Sequence, residues 1–413
     1  MEEIHLFIIW SKGRYAEQQI LSQAAEKFDV LQTYEIDWSA QHFSNNLSRF
    51  YGENLPKNSG KETHCGTDPF LAFIIKDKNP CYEVRDTGRG FELVNSNIFD
   101  AKADWRTLTG GGHKIHGTND RAEAEHDIVL LLGQNIDDLI AADNFSAAVK
   151  QVKTDLPGTG GWKNLSELFY VLNAACPYVV LRNFECFPDQ YLLEDHGDID
   201  FLTSDLNLFV SVTGAKKIGD EPWRVFHEIG VSGEHIPIDV RFIGDDYYDP
   251  AFSHKILMTR CQDLKGFYRP DDMSYFYSLM YHALIHREDF PLDYLDRLKN
   301  LPQGELLRKT HPELVWNWDN LSAVLKQFLM TNSYGLPEPK DCTVQFNRKG
   351  VGLPPEKVDR RKWIIWYWRL RYLVGYRDGW TSKILRERIK ARIHRLINVS
   401  LRKRLGLKVR DIS

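Results

Sequence analysis

The chain has 413 residues, 43% hydrophobic and 27% charged, a composition that excludes a disordered polar chain or a fibrous repeat. That length exceeds one ordinary core and predicts two or three domains. The net charge of −4 hides a split: residues 356–413 hold 18 Lys/Arg against 5 Asp/Glu, leaving an acidic body with a basic arm suited to an anionic surface.

Residues 4–10, IHLFIIW, predict a buried strand, and 15–28 carry the helical spacing Ile20, Ala24, Phe28. DVLQTYEIDW then predicts a second strand, so the chain opens as β-α-β, the usual seed of an open α/β sheet. Ser11–Lys12–Gly13–Arg14 between them reads as a turn or as an anion-holding helix start, without P-loop spacing. Further strands are expected at 70–76 and 128–132. The N-terminus MEEIHLFIIWSKGR has Glu2 and Glu3 where a secretion signal is basic, its apolar run is too short for one, and no run reaches 18 apolar residues, so the expected location is cytoplasmic with no membrane span. The six cysteines lack CxxC spacing and are expected to be reduced thiols.

An α/β domain is thus expected over 1–155, closed by the glycine turn GTGGW at 158–162. A second, α+β domain over 160–335 begins with a helix at 165–175 and a strand at 178–184. It continues through GDIDFL (197–202), the strand IPIDVRFI (236–243), and helices at 271–286 and 293–301. Proline-bearing segments at 335–357 read as a linker to a helical extension.

Asp198 and Asp200 stand one residue apart where a strand is expected, and residues i and i+2 of a strand share a face. Asp239 interrupts an otherwise apolar strand. Three converging carboxylates would form an oxygen cage for Mg²⁺, or Mn²⁺, able to neutralise a transferring phosphoryl group. The alternative is a turn aspartate, a solvated strand aspartate and an Asp239–Arg241 pair.

The order "apolar strand, loop, hG-D-h-D-h, about forty residues, h-h-D-h" resembles the DNA polymerase β-like nucleotidyltransferase superfamily. Within it, VVLRNFE, GDIDFL, IPIDVRF and YFYSLMYHALIH look most like the bacterial nucleotidyltransferase-like branch near the fukutin-type and phosphocholine-transferase-like enzymes. The resemblance covers about residues 165–300 and implies a nucleotidyltransferase-like domain with Asp198, Asp200 and Asp239 as metal ligands and catalytic residues. The family's hGG or hGS turn is replaced by Leu181-Arg182-Asn183-Phe184, so Arg182 and Asn183 are the candidates for the donor phosphates, with Arg241 as a second cation. The implied function is metal-dependent transfer of a nucleotidyl or phospho-substituent from a nucleotide-activated donor to a hydroxyl, on a cell-surface glycan or lipid-linked precursor. Two alternatives stand beside it: transfer to a small molecule, protein or RNA, and a degenerate domain that only binds.

In the first domain, THCGTDPF (63–70) and TGGGHKIHGTND (109–120) single out Gly112, His113 and His116 as a substrate-binding group, with His64 in the same pocket. Three glycines expose backbone N–H groups that can cradle an anion; a glycine turn with surface histidines is the competing reading. His282 and His286, at i and i+4 on one helix face, are metal ligands, a polar edge facing the active cleft, or part of an aromatic core. The tail alternates Trp/Tyr with Arg/Lys and suits an anionic membrane interface, which would make the protein peripheral on the inner face of the membrane. Packing onto the catalytic domain and nucleic-acid binding are the other two readings, the last the least favoured.

Overall fold

The computed structural model describes residues 2–88, 90–188, 197–219, 221, 223–287, 291–348 and 366; the readings placed on the tail, Trp366 apart, lie outside these residues. The chain divides into two compact units. One comprises Met1–Ile218, Val225–Gly244 and Asp249–Ser278; the other Gly219–Arg224, Asp245–Tyr248 and Leu279–Ser413.

The first half of unit one contains strands β1 (Glu3–Ile9), β2 (Asp29–Ile36), β3 (Phe70–Asp77), β4 (Tyr82–Asp86), β5 (Phe91–Asn95), β6 (Ile115–Gly117) and β7 (Lys150–Val152). Its helices are α1 (Glu17–Lys27), α2 (Phe43–Tyr51), α3 (Gly60–Cys65), α4 (Ser96–Leu108), α5 (Arg121–Leu132) and α6 (Ile136–Ala142). A five-stranded sheet runs β6-β1-β3-β2-β7, while β4 and β5 form a separate ribbon. Here the structure corrects the expected seed. β1 and β2 are not neighbours; β3 lies between them and is antiparallel to both, giving a split β-α-β. The sheet owes this order to β3, an eight-residue strand buried almost throughout, which pairs along the length of both partners.

Both faces of this sheet are covered, which is why IHLFIIW is apolar without alternation. On one face Phe7, Ile9, Phe73 and Ile75 meet Ile20, Ala24, Ile98 and Trp105 from α1 and α4. On the other, Trp10 and Trp38 lie 4.4 and 4.9 Å from Phe70, with Phe43 and Phe50 of α2 closing the cluster. Residues 128–132 are a second correction: they are the last turn of α5, not a strand. A short apolar run reads alike in a buried strand and a buried helix. The caps decide here, since Asp120 accepts from Glu123 N and Gly133 ends the helix at φ 66°.

The rest of unit one carries α7 (Leu165–Ala175), β8 (Tyr178–Val180), β9 (Ile199–Thr203), α8 (Leu206–Thr213), β10 (Lys216–Lys217), β11 (Phe226–Val231), β12 (Glu234–Phe242) and α9 (Pro250–Met258). Their sheet has the order β10-β11-β12-β9-β8, with β9 and β12 parallel and the other pairs antiparallel. Helix α7 has the expected bounds, while β8 stops at Val180, short of the expected 184.

Arg49 ties α2 to α8. Its buried guanidinium donates to the carbonyls of Pro157 (2.7 Å), Ser211 (3.1 Å) and Val212 (2.7 Å) and to Thr159 Oγ1 (2.8 Å). Two of these carbonyls belong to the last turn of α8, where helix carbonyls lack intrahelical partners. Burial lowers the Arg49 guanidinium to about 10, so it stays charged at neutral pH. Beside this contact the glycine turn at 158–161 delivers Trp162, whose Nε1 donates to Thr213 O at 2.9 Å. Gly158 sits at φ 73°, and a Cβ there would fall 2.4 Å from the Trp162 ring, so glycine is required twice over.

Helix α10 (Asp272–Ile285) runs from the first unit into the second, which continues with α11 (Leu292–Asn300), α12 (Pro302–Thr310) and α13 (Trp318–Thr331). Within the second unit Tyr247, Tyr248, Tyr281, His282 and His286 form a buried ring cluster; Tyr247 and His286 centroids are 4.0 Å apart, and the Tyr247 hydroxyl bonds His282 Nδ1 at 2.7 Å. This is the aromatic-core placement of the two histidines. The whole is a mixed α/β fold with a helical part, and among the described residues no helix is long and apolar enough to cross a membrane.

Candidate functional site

The parallel pairing of β9 with β12 sets Asp200 directly opposite Asp239. Asp198, two residues before Asp200, projects to the same side. One carboxylate oxygen from each of the three lies within 4.8 Å of the others, so the structure brings the expected triad together.

The two arginines expected to contact phosphate are also here, each on an aspartate. Arg182, just past the end of β8, pairs with Asp200 Oδ1, and both side chains are 7% exposed. Leu181 N donates to Asp200 O at 2.9 Å, and Asn183 takes the left-handed φ of 60°. Arg241 lies two residues after Asp239 on the same strand face; its Nη2 and Nε both donate to Asp239 Oδ2, at 2.6 and 3.1 Å. The Asp239–Arg241 pair, the alternative to a metal site, is therefore present together with the triad.

Three carboxylates against two guanidiniums leave one net negative charge in a largely buried site. Burial pushes Asp200 up to about 7; the Arg182 charge opposes this, while Asp239 and Asp198 reinforce it. Asp239 Oδ1 is buried and has no hydrogen-bond partner among the described residues. A buried acceptor without a donor is costly. A hard divalent cation with oxygen coordination would satisfy it and relieve the crowding of Asp200. The donor set therefore fits Mg²⁺ or Mn²⁺, which would be held by Asp198, Asp200 and Asp239.

A second constellation lies on the first sheet. Gly110, Gly111 and Gly112 all adopt left-handed φ (70°, 79°, 78°), the rings of His113 and His64 are 5.6 Å apart, and a Cβ on Gly112 would touch His64 Nδ1 at 3.2 Å. Lys61 and Arg106 act on His113, whose pKa is lowered by burial first and then by these charges. His116 is set apart from this loop: it packs edge-on against Phe50 and Tyr51, and its Nε2 bonds Asp127 Oδ2 of α5 at 2.6 Å. Its Nδ1 has no partner among the described residues. Glu123 lies near enough for His116, Glu123 and Asp127 to form a second group of metal-type ligands. Burial and the neighbouring Asp127 raise Glu123; burial acts the same way on Asp127, but His116 and His126 outweigh it and hold Asp127 low.

The half-buried Arg106 donates Nε to Ile115 O at 3.1 Å and has no carboxylate partner among the described residues. Sequence reasoning missed Asp127, Arg106 and Tyr51. Asp127 alone left a trace, as a carboxylate placed one residue before the apolar end of a helix. Arg14, in the Ser11–Arg14 turn, is engaged by Glu17 and Glu35. The six cysteines are free thiols, three of them buried.

No family model matches the chain, and no curated protein matches it. Among solved structures the chain is similar to the nucleoside diphosphate kinase of Aquifex aeolicus at 12% identity, over 31% of this chain and 93% of that one. The TM-score is 0.22, too low to carry an argument about fold or activity.

Proposed function

We propose that the protein is a metal-dependent transferase that moves a nucleotidyl or phospho-substituent from an activated donor to a hydroxyl. The observation that carries this reading is the register of β9 and β12, which sets three carboxylates around one point and leaves a buried oxygen of Asp239 without a donor. A divalent cation there would supply charge neutralisation on the donor phosphates. Asp198 and Asp200 would hold it, Asp239 would complete the set or take the acceptor proton, and Arg182 and Arg241 would keep the site near neutrality. The superfamily resemblance supports the reaction class. A glycan or lipid-linked glycan as acceptor rests on the neighbouring branch and on the basic, tryptophan-rich tail, which would hold the enzyme at an anionic membrane face.

The test is thermal melting of the full chain with CDP-, UDP- and GDP-linked donors and nucleoside triphosphates, with and without Mg²⁺. Ligand that binds only the folded protein raises the melting temperature by mass action. A metal-dependent rise, lost in Asp200→Asn and Asp239→Ala, is expected; equal rises in all three proteins would refute the site.

A second reading is favoured by one specific observation. His116 is held by Asp127 through Nε2, keeps Nδ1 unengaged, and lies on the strand whose Ile115 carbonyl holds the carboxylate-free Arg106. A carboxylate-oriented imidazole beside an unpaired guanidinium suits nucleophilic or general-base work on an anionic, phosphorus-containing substrate. Labelling with a γ-labelled nucleoside triphosphate distinguishes the two sites: acid-labile label lost in His116→Gln and retained in Asp200→Asn would assign phosphoryl chemistry to this one.

A further inference from the structure

The β4–β5 ribbon carries its apolar residues on the wrong face for a hairpin that ends at solvent. Val84, Phe91 and Leu93 share one face and are 64%, 83% and 60% exposed. Glu83, Arg85 and Glu92 share the other face with the buried Val94, and there Arg85 Nη2 lies 3.5 Å from Asp100 Oδ2 of α4. The charges thus face the body of the unit and the large apolar side chains face away from it. A one-sided sheet normally places them the other way round. Two strands alone are also marginally stable, so a ribbon of this pattern is built to be joined.

The register says which edge is open. Thr87 N donates to Gly90 O at 3.0 Å and Ser96 N to Cys81 O at 2.7 Å, and both pairs continue the β4–β5 ladder. Bonded pairs alternate along an antiparallel ladder, so they fall at 81, 83, 85 and 87. The peptide groups of Tyr82, Val84 and Asp86 therefore point away from β5. Asn95, opposite Tyr82, follows the same alternation on the far side and gives its N–H to Asn119 O at 2.7 Å. Among the described residues no strand pairs with the outer edge of β4.

That edge matches itself. It holds neither proline nor bulge, and the charges flanking Val84 are of opposite sign, whereas an edge protected against pairing repels its copy. An antiparallel second copy centred on Val84 sets Glu83 of one chain against Arg85 of the other, twice over. Val84 meets Val84 as a bonded pair, through the peptide groups that point outward. The two charge pairs fall on non-bonded positions, where side chains approach most closely. Leu93, Val84, Val84 and Leu93 then form one row across the joined sheet, so each Val84 gains an apolar neighbour on its open side.

We propose that β4 is a dimerisation edge, at which two copies of this chain join antiparallel about Val84 into a continuous four-stranded sheet. The pairing has closed twofold symmetry, so it stops at two.

The experiment is sedimentation equilibrium of the full chain over a concentration series. Wild type is expected to pass from monomer to dimer. Val84→Pro removes an N–H that points away from β5, and Glu83→Arg or Arg85→Glu sets like charges opposite each other; each should weaken the dimer by roughly tenfold or more. An equimolar mixture of Glu83→Arg and Arg85→Glu should dimerise again, because one chain then presents two cations to two anions. The double variant, with both charges exchanged, should self-associate like wild type. Mixing cures no folding defect, so the mixture carries the test if Val84→Pro disturbs the ribbon. Wild type that stays monomeric throughout the series, or a dimer unchanged by all three single variants, would overturn the proposal. A mixture no more associated than either variant alone would overturn it as well.

Discussion

Replacing Asp200 with Asn keeps the shape and the acceptor oxygen facing Arg182 but removes the charge that burial and two neighbouring carboxylates oppose. In the metal-free protein this carboxyl is pushed from 3.8 up to about 7. A carboxyl whose folded pKa is raised binds its proton more tightly in the native state than in the unfolded chain. Its contribution is therefore neutral below the unfolded pKa, and stability falls as pH rises through the folded one. Between about pH 5 and about pH 8 the two proton affinities imply a loss of roughly 2–3 kcal/mol from this one group. Wild type should thus lose that much more stability over this range than Asp200→Asn, read from urea midpoints at constant slope. Millimolar Mg²⁺ should restore most of the loss in wild type at the higher pH and change the variant little. Parallel pH profiles for the two proteins, within about 0.5 kcal/mol, would refute the reasoning, because they would mean that Asp200 ionises as easily folded as unfolded.

Three other outcomes are expected. Arg49→Met should destabilise by about 2–3 kcal/mol, because it strands the buried carbonyl of Val212 and the half-buried carbonyls of Pro157 and Ser211, and a urea midpoint shift measures it. Gly117→Ala would place a Cβ 2.5 Å from the buried Phe7 ring and should cost about 1–3 kcal/mol by overpacking, with a visible shift of the neighbouring His116 resonances. With an aromatic disulfide reagent at about pH 8, the exposed Cys81, Cys186 and Cys261 should react in a fast phase. Cys65 and Cys176, buried and pushed up to about 12, should react only on unfolding, as mass spectrometry of the labelled protein would verify.

What could be read from the chain was set by how local the responsible physics is. Helix α7 was legible because its cap, periodicity and terminator all lie within a dozen residues. The triad was legible because strand parity places Asp198 and Asp200 together, and a carboxylate inside IPIDVRF needs an explanation wherever the strand lies. The partner of β1 was not legible, since β3 joins it across some sixty residues and nothing in either strand names the other. The final turn of α5 was misread because five apolar residues carry no period of their own. Asp127 escaped because it is recognised only through His116, on a different element, and Arg106 because what marks it is the carboxylate it lacks. The contact between α2 and α8 was invisible for the same reason: Arg49 sits in FSNNLSRFY, where it reads as an ordinary surface cation.

Time enters through that last residue. Arg49 and the α8 carbonyl of Ser211 are 162 positions apart. At about 5–20 residues per second of synthesis, the guanidinium waits on the order of 10–30 s for its acceptors to leave the ribosome. For most of that interval, until Pro157 and Thr159 emerge, the cation of α2 has none of its four native acceptors, and until Ser211 and Val212 follow it has only two. The amino-terminal sheet of the nascent chain should therefore stay open to proteases and chaperones until well past residue 211, and its maturation should be clocked by translation rather than by its own folding rate.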